Sequence, residues 1–162
     1  MSISQCNIMD RLLTKAKDSI LNQKHAAAIC AGKKIYCMNI NNNRTKFGRK
    51  IRCCGHSEIV CIERLNSILK SIFKGSKNIN RRNRKMNKLT IYIARRRPGG
   101  SRVGPSGPCS HCHDTISQLG IKKMVYYNRL GEIISCKTKN YKTYGSSHGS
   151  DWYKSRNIPC LY

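Results

Sequence analysis

The chain carries His56-Ser57-Glu58 and, about fifty residues later, Pro108-Cys109-Ser110-His111-Cys112. No other feature constrains the fold as strongly. One imidazole and two thiols suit a single zinc ion, and a shared metal forces two distant segments together. On a helix, Cys109 and Cys112 would project their thiols from one face of the first turn. Three protein ligands leave a fourth tetrahedral position for water, the pattern of catalytic zinc. Zinc can bring the pKa of that water far down, to roughly 7. Glu58 stands beside it without needing to bind the metal, and can move its protons. Cys-x-x-Cys alone also fits a redox pair or half of a structural finger, and His-x-Glu alone is weaker still. Cys53, Cys54, His111 and His113 are near enough in sequence to complete a closed structural site, and Cys53-Cys54 could cap a second metal. The expectation is that all four stay outside, because another protein ligand would block the water.

Hydrophobic spacing places these motifs. Ile8, Leu12, Leu13, Ala16 and Ile20 predict a helix over 8–21. Apolar runs at 25–30 and 34–40 around Gly32 predict a hairpin, followed by a polar loop over 41–52. The stripe of Ile59, Ile62, Leu65, Ile68, Leu69 and Ile72 predicts a helix over 56–72, ended by Gly75. A basic loop over 74–88 precedes a strand at 89–94 apolar enough to be central. A loop over 95–108 leads to a helix over 109–119 and strands at 123–127 and 132–136. The segment 137–162 is polar and basic, with Asp151-Trp152-Tyr153 a candidate docking helix. Strands alternating with helices argue a sheet covered on both faces.

The 162 residues suit one domain. At 39% hydrophobic, the chain can hold a core, which excludes wholesale disorder. Lys and Arg total 32 against 7 acids, a net charge of +25. That excess attracts polyanions and implies nucleotide phosphate or nucleic acid as partner. Part of it also fits solvated surface in an Asn-, Ile- and Lys-rich chain. Ten cysteines raise a disulfide scaffold. Against it, the first residues lack a basic segment leading into an apolar one. No apolar run approaches the ~20 residues of a membrane span. Cys30, Cys37 and Cys136 sit in strand-like runs, where free thiols pack as small hydrophobes. The expected setting is intracellular, cytoplasmic or nuclear.

The whole signature is that of zinc nucleobase deaminases. Residues 8–136 resemble the zinc-dependent cytidine/deoxycytidylate deaminase superfamily. Residues 26–35 are similar to its first hairpin. Asn41-Asn42-Asn43-Arg44-Thr45 is similar to an N-x-x-R-T stretch, and Gly120-Ile121-Lys122-Lys123-Met124-Val125-Tyr126-Tyr127 to a G-I-K-K-V-Y-Y strand. The resemblance implies a three-layer α/β/α sandwich with a mixed sheet of about five strands. It implies a catalytic domain over 1–136 with a basic extension over 137–162 that can dock on the same domain. It makes His56, Cys109 and Cys112 the zinc ligands and Glu58 the proton shuttle. Substrate contacts would fall on Asn41, with Asn43 close, on Ser57 and on Pro108. His56 stands where free-cytidine deaminases usually carry Cys, which points away from a free nucleoside. Two departures are plain: Ser57 replaces a usual Ala, and the stretch between Glu58 and Pro108 is longer than in compact members. The added length is cationic, and Arg81, Arg82, Arg95, Arg96 and Arg97 are the expected phosphate or nucleic-acid contacts. A nuclear-targeting run over 81–85 is the other reading of that cluster. Tyr126, Tyr127 and Trp152 are candidates to stack on a base.

The implied reaction is hydrolytic deamination of a cytosine base, in a dCMP- or CMP-type nucleotide or in single-stranded nucleic acid. Zinc-bound hydroxide would attack C4 while Glu58 moves protons. Adenosine deamination on transfer RNA shares the signature. A non-catalytic zinc module binding nucleic acid is the alternative from another class, and Glu58 argues against it. Relatives often assemble, so a homo-oligomer is compatible with the resemblance.

Overall fold

The computed structural model describes residues 2–47, 50–51, 54–72, 84, 86–98, 103–143, 145–147, 151 and 155–156, excluding the side chains of 47, 50, 51 and 72. Helix α1 spans Ile3–Ala16, and strands β1 (Lys24–Ala31) and β2 (Lys34–Ile40) form a hairpin. Gly32 turns that hairpin with a φ of 57°, a conformation in which a side chain would be strained. Two short strands follow, β3 (Lys46–Phe47) and β4 (Lys50–Ile51), then α2 (Ser57–Ile72). Strands β5 (Thr90–Arg96) and β6 (Val103–Gly104) precede α3 (Ser110–Gln118), β7 (Lys123–Tyr127) and β8 (Ile133–Lys137). A 3-10 turn, Thr138–Asn140, follows β8.

The main sheet runs β2-β1-β5-β7-β8, with β6 paired to β5. Among the described strands only β5 and β7 pair in parallel, joined through α3, so the sheet is mixed. Its two faces bury different helices. Ala27, Ile29, Ile91, Ile93 and Met124 pack with Cys61, Ile62, Leu65 and Leu69 of α2 and Ile116 of α3. Ala26, Ala28, Tyr92, Ala94 and Val125 pack with Ile8, Met9, Leu12 and Ala16 of α1. Alternate residues of each strand thus serve opposite layers. The result is the expected α/β/α sandwich, with six strands in the main sheet instead of about five.

Several expected boundaries shift for identifiable reasons. Helix α1 starts five residues earlier than predicted, where Ser2 N donates to Gln5 Oε1 at 3.2 Å. It stops at Ala16, because Ser19 is pulled inward to donate to Asn41 O at 3.1 Å, and Ile20 is left 76% exposed. The loop over 41–52 contains the β3–β4 pair. The loop over 95–108 starts late: Arg95 and Arg96 extend β5, held by His25 and Lys24 of β1 on one side and by Gly104 and Val103 of β6 on the other. Charge had argued for a loop there, and ladder hydrogen bonds on both sides override it. Strand β8 lies one residue later than predicted. Gly75 and most of the basic loop over 74–88 lie outside the described residues, although Met86 is buried in the core.

The segment beyond 136 contributes to the body. Thr138 is buried, and Tyr141 packs its ring edge-on against Tyr126 with centroids 5.3 Å apart. Asp151-Trp152-Tyr153 lies outside the described residues except for Asp151. Among the described residues no helix is long and apolar enough to cross a membrane.

Leu65 is fully buried between α2 and the sheet. Leu65→Ala should destabilise the fold by about 2–5 kcal/mol, while exposed Glu63→Ala changes little. Urea unfolding followed by circular dichroism checks both.

Candidate functional site

Two helix starts converge. His56 immediately precedes α2 and its carbonyl accepts Val60 N at 3.0 Å; Cys109 caps α3 and its carbonyl accepts His113 N at 2.9 Å. Cys112 follows one turn into α3 and is buried. The ligand atoms of His56, Cys109 and Cys112 all lie within 4.8 Å of one another. His56 Nδ1 is 3.3 Å from Cys112 Sγ and 3.6 Å from Cys109 Sγ. Nitrogen and sulfur donors of tetrahedral zinc, at about 2.0–2.1 and 2.3 Å, stand about 3.6 Å apart. The donor set and its spacing therefore fit zinc.

Electrostatics favour the same use. Both helices present their positive ends to the cluster. The Cys109 thiol is pushed down to about 4, chiefly by its hydrogen bond with Cys112 and also by His56, against the cost of burial. Thiolate is the form that binds metal.

Glu58 lies on the first turn of α2 and is 4% exposed. Burial raises its carboxyl above the ordinary range. The imidazole of His56 opposes this, the Cys109 thiolate adds to it, and the Ser57 hydroxyl opposes it. Ser57 Oγ donates to Glu58 Oε2 at 3.0 Å, which fixes the carboxylate's direction.

These groups open into a cleft of about 380 Å³ lined by His25, Asn41, His56, Glu58, Cys109 and Ser146, among others. A larger hollow of about 790 Å³ lies at the far end of α3, among Lys122, Lys123, Lys137 and Lys139, and holds none of them. Asn41 reaches the cleft, but its amide also ties the walls together. Oδ1 accepts from Ser19 Oγ at 2.7 Å and from His25 N at 2.8 Å, and Nδ2 donates to Gln23 O at 2.6 Å. Asn43 is exposed and outside the cleft lining. Pro108 is buried, and its carbonyl accepts the Tyr141 hydroxyl at 2.8 Å. A Cβ on Gly107 would meet that hydroxyl at 2.5 Å, so only glycine lets Tyr141 brace the turn into Cys109.

Among the described residues, Cys54, His111 and His113 do not join the three-ligand group. Cys54 lines the cleft, while His113 Nε2 lies 3.0 Å from Thr138 O and its ring packs on Tyr141. Cys53, Arg81, Arg82 and Trp152 lie outside the described residues. Tyr126 and Tyr127 are buried in opposite layers of the core and do not line the cleft. Arg95 stands beside His25 across the β1–β5 ladder, whereas Arg96 alternates to the α1 side.

His25, Tyr141, Ser146 and Ser147 were not legible as site residues. His25 opens an apolar strand and reads as its edge. Burial, Arg95 and then His56 pull its imidazole down to about 3, so it is a neutral wall at neutral pH. The other three sit in the basic tail, where no periodicity signals burial.

No family model matches the chain, and no curated protein does. Among solved structures, cytidine deaminase from Burkholderia pseudomallei superposes with a TM-score of 0.53 at 17% identity, over 86% of this chain and 95% of that one. The dCMP deaminase of cyanophage S-TIM5 aligns at 15% identity over 96% of this chain and 94% of that one, with a TM-score of 0.44. The first of these shows that the chain has the cytidine deaminase fold.

Tyr141→Phe keeps the ring and strands the buried Pro108 carbonyl. It should cost about 1–3 kcal/mol in urea unfolding; an unchanged midpoint would remove the brace from the account.

Proposed function

We propose that this chain, with the cytidine deaminase fold as its frame, is a zinc-dependent hydrolytic deaminase of cytosine bases in the cytidine/deoxycytidylate superfamily. The observation that carries the reading is a buried Glu58 on the same helix start as His56, lining one cleft with His56 and Cys109 while Cys112 completes the three-residue metal group. A structural zinc site has no use for a buried carboxylate at that position.

His56, Cys109 and Cys112 would hold the metal, which when bound supplies Lewis acidity and lowers the pKa of water. Glu58 accepts the proton of the attacking water on its carboxylate, the form in which it acts as base. Its raised affinity for protons suits that task. It passes the proton to N3 of the ring and another to the exocyclic amine, which leaves as ammonia. Water adds at C4, the C4–N bond breaks, and cytosine becomes uracil. Ser57 keeps the carboxylate aimed throughout. The neutral His25 and the pinned Asn41 form a preorganised wall for the base and sugar. A cleft of about 380 Å³ lies within the range of small-ligand sites.

Glu58→Gln should lower ammonia release from cytosine substrates by about 10²–10⁴-fold, while zinc content by mass spectrometry stays near one per chain. Full turnover in that variant would contradict the mechanism. His56→Ala should lose the zinc and the turnover together. Stoichiometric zinc with no ammonia from CMP, dCMP, cytidine, single-stranded DNA or transfer RNA would instead leave the non-catalytic module.

A further inference from the structure

The walls of the cleft carry no Lys or Arg among the described residues, although the chain has 32 such residues. Arg95, and Arg97 packed beside it, lie next to one of the cleft's walls. Arg95 follows Ile91 and Ile93 on the side of β5 that meets α2 and α3, the layer that holds the candidate site. Its Cα partner across the ladder is His25, a cleft residue, one strand spacing of about 4.8 Å away. The two arginines lie against the same backbone. A Cβ placed on Gly104 would come within 3.2 Å of Arg95 Cδ and 3.2 Å of Arg97 Cγ. From Gly104 the chain runs through Pro105 and Ser106 to Gly107, which lines the cleft.

Among the described residues this pair has no salt-bridge partner. Among the described residues the ion pairs are Lys15–Asp18 and His113–Asp114, and neither involves Arg95 or Arg97. Among the described residues, Arg95 Nε is buried and has no hydrogen-bond partner. A buried guanidinium N–H without an acceptor is costly unless something occupies it. Burial, and then the charge of Arg97, lowers the pKa of Arg95, so an anion bound here would relieve a repulsion already present.

We infer that Arg95 and Arg97 form a phosphate subsite beside the cleft, so that the substrate is a phosphate-bearing cytosine nucleotide instead of a free nucleoside. The base half of this inference rests on the deaminase reading; the anion half does not. Guanidinium groups match phosphate oxygens in paired hydrogen bonds. The phosphate could be the monoester of CMP or a diester of a single strand, and the two call for different ligands in the test. Gly104 has a defined part: without a side chain it leaves room for both arginines to lie flat over β6.

The test measures binding and turnover separately on the full zinc-loaded chain. Calorimetry with CMP, cytidine and a short oligocytidylate gives the affinities, and ammonia release gives the activity. Wild type should bind CMP or the oligomer about tenfold or more tightly than cytidine, the worth of one charge-assisted hydrogen bond. Arg95→Gln with Arg97→Gln should erase that preference and leave cytidine affinity unchanged. Lys122→Gln with Lys123→Gln removes the same charge elsewhere and should retain it. Gly104→Val, which keeps both charges, should weaken phosphate-bearing ligands as well. Preference for CMP over the oligomer would identify a monoester, and the reverse a strand. Equal affinity for CMP, oligomer and cytidine in wild type, or a preference that survives the double arginine variant, would overturn the subsite. Failure of the deaminase reading would show differently, as no ammonia from any substrate, with the arginine-dependent affinity still measurable.

Discussion

The structure depends on the meeting of two helix starts at one end of a sheet. Helix α2 begins after His56 and α3 begins after Cys109, so both positive ends point at the same few ångströms. Such a junction would repel cations unless anionic ligands sit there, and Cys109, pushed down to about 4, supplies that charge. The rest of the fold serves to hold this junction. Alternating apolar residues of β1, β5 and β7 bury α2 and α3 on one face, while α1 closes the other. Burying each large side chain contributes about 1.5–3 kcal/mol, and this packing keeps two polar segments together.

Around the junction, polar groups are tied off in a chain of named contacts. The Cys61 thiol donates to Ala27 O at 2.9 Å and fastens α2 to β1. Ser57 orients Glu58, Asn41 joins β1 to the loop before it, and Tyr141 braces Pro108. Among the described residues, two buried side-chain atoms lack a partner: Asn66 Oδ1 on α2, and the Nε of Arg95 at the edge of the same layer. A cleft bordered by a buried, unpartnered guanidinium nitrogen is suited to an anionic ligand.

Much of this was legible in the chain itself. The candidate metal group His56, Cys109 and Cys112, with Glu58, stands out because metal chemistry demands particular residue types at short spacing, which is a local signal. The strands at 34–40 and 123–127 were readable for the same reason, since Tyr126 and Tyr127 close a strongly apolar run. What could not be read depended on partners far away in sequence. Arg95 and Arg96 look like loop until β1 and β6 supply hydrogen bonds on either side. Tyr141 looks like part of a basic tail until Tyr126 and His113 enclose it. His25 looks like a strand edge until Asn41 and Arg95 flank it. Helix α1 was misplaced because Ile20 continued the apolar spacing, although the chain had already turned to anchor Ser19.

The most direct test of the central claim is zinc K-edge X-ray absorption on the loaded protein. The account predicts one zinc with two sulfur neighbours at about 2.3 Å and two lighter ones at about 2.0–2.1 Å, one from His56 and one from solvent. Three or four sulfur neighbours, or no stoichiometric zinc, would contradict it.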